Sequence, residues 1–247
     1  MAIMEPGVYR ETYRLESRYW WHVNRRRLVE QEIKKVFGGK QKIKILVAGC
    51  GTGILMSDLQ KFYSNVFGVD DSPLALQFCR KRGLRSVRRG NLEKRLPYPS
   101  DSFDVITCLD VIEHLDQDSR ALAELHRILR PGGYIFLTVP AYQFLWTNHD
   151  EILWHKRRYR RGPLSTLIRS VGFEIVKSSY FYSFLIPPAV ILFKLKLIFH
   201  HGRAKTTVIP PWPINLLLSL ACNIERKIIE FMSLPTGISI FVAAIKK

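Results

Sequence analysis

The chain has 247 residues, 47% of them hydrophobic, enough to bury the core of one ordinary to large domain. Its 38 Lys and Arg against 21 Asp and Glu leave a formal charge of +17, which selects anionic partners such as phosphates, nucleic acid or an acidic bilayer without choosing among them. Four cysteines with no CxxC pair exclude a disulfide framework, suggest no metal site, and point to a reducing compartment.

In chain order, "MAIMEPGVYRETYRLE" carries charges every few residues and no apolar run, which argues against a secretion signal and for the cytoplasmic side. Residues 16–37 set Trp20, Leu28, Val29, Ile33 and Val36 at helical spacing, predicting an amphipathic helix that ends at Gly38 and Gly39. Short aliphatic strands then alternate with helical patterns: 42–48, 65–70, 84–90, 103–110 and 133–140. Ser72 and Pro73 open one helix that stops at Gly83; Leu122, Leu125, Ile128 and Leu129 line another that ends before Pro131 and Gly132. Residues 141–162 form a connection far longer than the usual roughly 2–6 residues, a length typical of lids and binding loops. A helix over 163–171, a strand over 173–181 and a last strand over 237–246 complete the pattern. The rhythm predicts an α/β, Rossmann-like, doubly wound and mostly parallel seven-stranded sheet with a helical, apolar insertion between its last two strands. The expected divisions are an N-terminal helical cap (1–41), a core (42–181), the insertion (182–236) and the last core strand (237–247).

A strand that runs into "GCGTGI" and then a helix is a nucleotide-binding arrangement, because the glycines let main chain approach a ligand whose polar groups meet free N–H groups. Ile54 stands where a nicotinamide fingerprint needs its third glycine or alanine, so the spacing favours another adenine nucleoside.

The chain resembles the class I S-adenosylmethionine-dependent methyltransferases over roughly residues 42–181 and the last strand. The resemblance lies in "AGCGTG", in Asp70 at the end of the second strand, in "GNLEKRLPYPSDSFDVITCLDVIEHL" and in "LRPGGYIFLTVP". It implies S-adenosylmethionine as methyl donor. It further implies that Gly49, Cys50, Gly51, Thr52 and Gly53 line that molecule, Asp70 holds the ribose with Asp71 also among the binding residues, Asn91 and Leu92 lie near adenine, and Leu109 and Asp110 border the methionine end. Two positions depart from the family pattern: Val47 replaces a frequent acidic residue, and Asn91 replaces an aspartate.

His114, just past the fourth strand, is the best-placed catalytic base because imidazole titrates near neutral pH; a histidine that only fixes local geometry is the other reading. His149 and His155 flank Lys156, Arg157, Arg158, Arg160 and Arg161, interleaved with Trp154 and Tyr159. That cluster reads as a clamp for an acceptor's phosphate or carboxylate, or as a solvated basic loop. "RYWWHVNRRR" and "NHDEILWHKRRY" resemble a bacterial subgroup of the same methyltransferases, with Trp20 and Trp21 as anchors of the first helix or contacts of the acceptor.

Residues 184–201 are the most hydrophobic stretch, yet Lys194 and Lys196 oppose insertion by about 5–7 kcal/mol against a gain of roughly 3–7 kcal/mol. A single crossing would also part the last strand from its sheet. Glu225, Arg226 and Lys227 argue against a second span in 213–232. Helices lying in the membrane interface, with Lys194, Lys196, His200, His201, Arg203 and Lys205 toward anionic head groups, fit the pattern, as do a site cap or a dimer surface. The expectation is a methyltransferase acting on a hydrophobic, anionic or lipid-linked small molecule, peripheral at the cytoplasmic membrane face. An RNA methyltransferase is the alternative, weakened by the absence of (D/N/S)PP(Y/F) and PC signatures, and a non-catalytic scaffold is the third. Oligomeric state and acceptor atom are not written in these patterns.

Overall fold

The computed structural model describes residues 6–38, 42–191 and 210–247. Seven strands form one sheet in the order β3-β2-β1-β4-β5-β7-β6. They are β1 (Lys44–Ala48), β2 (Asn65–Asp70), β3 (Val87–Arg89), β4 (Phe103–Leu109), β5 (Leu129–Pro140), β6 (Phe173–Phe181) and β7 (Ser239–Lys246). All pairs are parallel except those of β7, which runs antiparallel between β5 and β6. The expected doubly wound, mostly parallel, seven-stranded architecture is therefore the observed one.

The central strands read as continuous apolar runs because both faces are covered. In β4, Phe103 through Cys108 are all buried. One face packs under α5 (Asp118–Ile128) and α7 (Arg161–Ser170) through Leu122, Leu125, Leu164 and Ile168. The opposite face packs under α2 (Trp20–Phe37), α3 (Ile54–Leu59), α4 (Pro73–Lys81) and α8 (Trp212–Phe231) through Leu28, Ile33, Met56, Leu76 and Ile229. Ser72 caps α4 as expected, its hydroxyl accepting from Ala75 N–H at 3.3 Å with Pro73 opening the helix.

Several boundaries differ from the pattern reading. The helix expected from residue 16 begins at Trp20, after a separate helix α1 (Pro6–Leu15). The break has a cause: Tyr19 is extended and the Glu16 side chain turns inward, where it accepts from Thr52 and Arg82. Leu129 leaves α5 for β5 and pairs with Phe103. Only Val87–Arg89 of the expected third strand pairs with β2. The long connection is structured by a 3-10 turn at Gln143–Leu145, a short helix α6 (Asn148–Ile152) and a bridge between Ala141 and Tyr159.

Residues 192–209, and with them Lys194, Lys196, His200, His201, Arg203 and Lys205, lie outside the described residues, as does Gly39. Among the described residues no helix is long and apolar enough to cross a membrane.

Candidate active site

The strand order reverses between β1 and β4, and the crevice beyond their carboxyl ends is where α/β sheets bind ligands. A cavity of about 440 Å³ lies there, within the span of roughly 300–1,000 Å³ common to small-molecule sites. The glycine turn after β1 forms one wall. Gly49 has φ +67°, and a Cβ on it would lie 2.4 Å from Val111 Cγ2, so a side chain is barred by both backbone and neighbour. Gly49 and Cys50 N–H donate to the Val69 carbonyl at 2.8 and 3.0 Å, tying the turn to β2. Gly51 has nothing within 4 Å of its would-be Cβ, leaving bare main chain against open space. Such a cradle fits a nucleoside.

Asp70 ends β2 in the same cavity, its two oxygens accepting from Gly51 N–H at 2.8 Å and Ser72 N–H at 2.9 Å. Burial pushes its carboxyl up, against the pull of those two N–H donors. Cys50, Thr52, Asp71, Leu92, Leu109 and Asp110 also line the cavity. Two expected residues do not. Gly53 starts α3 with φ +85°, where a Cβ would lie 2.5 Å from Leu84 Cδ1, so its role is packing beneath the turn. Asn91 turns aside: its amide donates to Asp71 at 3.2 Å and its carbonyl accepts from Glu93 N–H at 2.8 Å, while Gly90 and Leu92 face the space.

Beyond β4, Asp110 takes φ +51° and accepts from Arg25 and, at 2.8 Å, from the Thr138 hydroxyl. Burial acts to raise its carboxyl, but Arg25 and Thr138 prevail and hold it below the usual range. Arg25 comes from α2 and was not anticipated; nothing in the spacing of 16–37 marks it, since its partner is 85 residues away. Tyr9, Glu16, Trp21 and His22 close the same side, so α1 and α2 roof the cavity. Arg82 fastens that roof, donating to Glu16 and to the Thr52 carbonyl at 2.9 Å and stacking 4.2 Å over Tyr13.

His114 lines the cavity in a short 3-10 turn, Ile112–His114. Burial, and next the neighbouring His155, push it down to about 4, so it stands as a neutral imidazole at neutral pH. The rings of His114 and His155 meet edge to face at 4.7 Å. His155 Nδ1 lies 2.9 Å from Asp150, which also receives Arg158 through Nε at 2.7 Å and Nη2 at 2.8 Å. Glu113 is fully buried against the cavity, and neither of its oxygens has a hydrogen-bond partner among the described residues.

The basic cluster does not form the expected open clamp. Arg158 is held by Asp150, Lys156 pairs with Asp116, and Arg157 meets Asp118 at 3.1 Å and the Leu115 and Asp116 carbonyls. Arg161 lies 5.5 Å over the Tyr180 ring. Four of the five cations named from the sequence thus bind the protein itself, and two of them, Lys156 and Arg157, knit residues 141–162 to the segment after β4.

Residues 46–137 match the family model described as a methyltransferase domain. A Mycolicibacterium smegmatis protein named a probable S-adenosylmethionine-dependent methyltransferase is 31% identical over 163 residues, covering 65% of this chain and 61% of that one. A ubiquinone biosynthesis O-methyltransferase of Pseudomonas aeruginosa is 33% identical over 150 residues, covering 53% of this chain and 65% of that one. The chain thus spans less than two thirds of the length of these curated relatives. A solved S-adenosylmethionine-dependent methyltransferase from Thermotoga maritima shares the fold with a TM-score of 0.61 at 20% identity, over 98% of this chain and 96% of that one. With that domain match over residues 46–137, this strand order and this glycine turn, the chain is similar in sequence and in fold to the S-adenosylmethionine-dependent methyltransferases.

Proposed function

We propose that the protein transfers a methyl group from S-adenosylmethionine to a hydrophobic or lipid-linked small molecule, working peripherally at the cytoplasmic face of the membrane. When bound, the cosubstrate supplies a sulfonium methyl that is already activated, so the protein's work is to orient the acceptor and exclude water. The glycine turn and Asp70 hold the nucleoside end. Arg25 and Asp110 fix the wall beside the methionine end, and α1 with α2 closes the roof.

The observation that carries the acceptor class is the outer face of α8. Ile214, Leu217, Leu220, Ile224, Ile228 and Phe231 recur at spacings of three or four and are exposed, with Leu217 at 66%, Ile224 at 62% and Phe231 at 88%. A helix that keeps such a stripe in water is suited to an apolar surface. The name of the Pseudomonas relative, a ubiquinone-pathway enzyme, points the same way for the acceptor. The RNA alternative, which rests on the +17 charge and on the interleaving of aromatic and basic residues, loses ground because Lys156, Arg157 and Arg158 of that loop are paired within the protein.

The test is to incubate the purified protein with methyl-labelled S-adenosylmethionine and an extract of cells that lack it, then separate lipid, RNA, protein and polar fractions. Label in lipid that disappears with Asp70→Ala is the expected result. Label confined to RNA or protein overturns the proposal.

A further inference from the structure

Glu113, His114 and His155 each offer a ligand atom, and the three lie within 4.8 Å of one another on the cavity wall next to Asp110. We propose that these residues bind a divalent transition-metal ion that would hold and activate a hydroxyl of the acceptor.

Three features of the cluster carry this. First, Glu113 is fully buried with both oxygens unpartnered, an arrangement that costs free energy unless something fills the gap between them and the cavity. His155 Nε2 stands 4.0 Å from one of those oxygens, too far for a hydrogen bond and open enough for an ion between them. A four-coordinate ion with bonds of about 2.1 Å separates its ligand atoms by roughly 3.4 Å, so small side-chain rotations close the set.

Second, the outer partners are those that metal-binding histidines use. Asp150 receives His155 Nδ1 at 2.9 Å, which fixes the tautomer and turns the Nε2 lone pair toward Glu113. Arg158 and Thr147 in turn hold Asp150. His114 packs edge to face against His155, ring centroids 4.7 Å apart, which holds the two imidazoles side by side. The third feature is pairing: Asp110, the other carboxylate beside the cluster, is already engaged by Arg25, leaving Glu113 as the carboxylate free to ligate.

Two imidazoles and one carboxylate suit zinc, manganese, iron(II) or cobalt better than magnesium or calcium, which prefer oxygen donors. Three protein ligands leave a position for an outside oxygen. A hydroxyl there would give its proton to solvent on coordination; its oxygen would then bond to the sulfonium methyl as the carbon–sulfur bond breaks, the electron pair staying on sulfur. That role rests on the proposed transfer reaction; ion binding does not.

The experiment is titration of chelator-treated protein with Co²⁺, followed by visible absorption and calorimetry, with circular dichroism to confirm folding. One equivalent binding with nitrogen-ligand absorption bands is expected, displaced by Zn²⁺ but not by equimolar Mg²⁺. Glu113→Gln and His155→Asn are expected to abolish stoichiometric binding, and Asp150→Asn to weaken it about 10–100-fold. Absence of stoichiometric Co²⁺ binding by folded protein, or binding unchanged in folded Glu113→Gln and His155→Asn, overturns the proposal. Binding of S-adenosylmethionine, measured separately by calorimetry, distinguishes loss of the metal site from failure of the methyl-transfer reading.

Discussion

Replacing Asp150 by Asn should cost far more than an exposed charge would. The carboxylate is fully buried and accepts from Thr147 N–H at 2.8 Å, the Thr147 hydroxyl at 3.1 Å, His155 Nδ1 at 2.9 Å and Arg158 twice, at 2.7 and 2.8 Å. An asparagine keeps the volume and one oxygen but removes the charge, leaving the Arg158 guanidinium, itself 12% exposed, unpaired in the interior. Breaking a buried pair on one side costs about 3–5 kcal/mol, most of it the stranded charge. For a chain of this size that corresponds to a melting temperature lower by roughly 6–20 °C. Urea denaturation of wild type, Asp150→Asn, Arg158→Met and the double variant supplies the assay. The double variant should recover part of the loss, because its remaining charge is gone too. A single-variant loss under about 1 kcal/mol, or a double variant no better than Asp150→Asn, would refute the view that this pair anchors the long loop.

Other outcomes follow from the same structure. Gly49→Ala should abolish S-adenosylmethionine binding in calorimetry, because it forces φ +67° on an alanine and drives its Cβ into Val111; adding Val111→Ala relieves the clash but leaves about 1 kcal/mol or more of backbone strain, so binding should return only in part. His22 is pushed down to about 3 by burial and by Arg25 and Arg26, so the unfolded chain takes up a proton near pH 6.5 that the folded one refuses. Stability should therefore fall as pH drops below about 6.5, by up to roughly 1.4 kcal/mol per pH unit from this group, and His22→Gln should flatten that part of the curve in urea titrations at stepped pH. Leu217→Ser with Ile224→Ser should reduce co-sedimentation with anionic phospholipid vesicles while leaving S-adenosylmethionine binding unchanged; undiminished sedimentation would remove α8 from the membrane reading.

Much of the sheet was legible because its signals are local. The central strands β1, β2 and β4 are short apolar runs, and Ser72 with Pro73 marks a helix start by chemistry that needs no tertiary partner. The glycine turn was legible for the same reason: three glycines in five positions after a strand have few other uses. What stayed hidden depends on distant pairs. Helix α1 buries only Val8 and Tyr9 and takes its place from Arg82 and Phe78, some seventy residues away, so its pattern is too thin to read. Asn91, expected near adenine, instead turns toward Asp71 and Glu93, a local arrangement that sequence spacing does not announce. The basic loop looked free because its carboxylate partners, Asp116 and Asp118, sit across a turn that sequence spacing does not bring near. Glu113 drew no attention beside His114, since only burial reveals a carboxylate without a partner.

Strand β7 carries a consequence for how the molecule is made. It slots between β5 and β6, which reach the ribosome exit about a hundred and about sixty residues before it. Until it arrives, both neighbours hold an unpaired edge in water, and the apolar residues of β5 and β6 that β7 will cover stand open to other chains. Closing a sheet through contacts so distant in sequence is slow, which lengthens that exposure. Damage to β7 would thus harm yield before it harmed catalysis, with synthesis ending in aggregates rather than in weak enzyme.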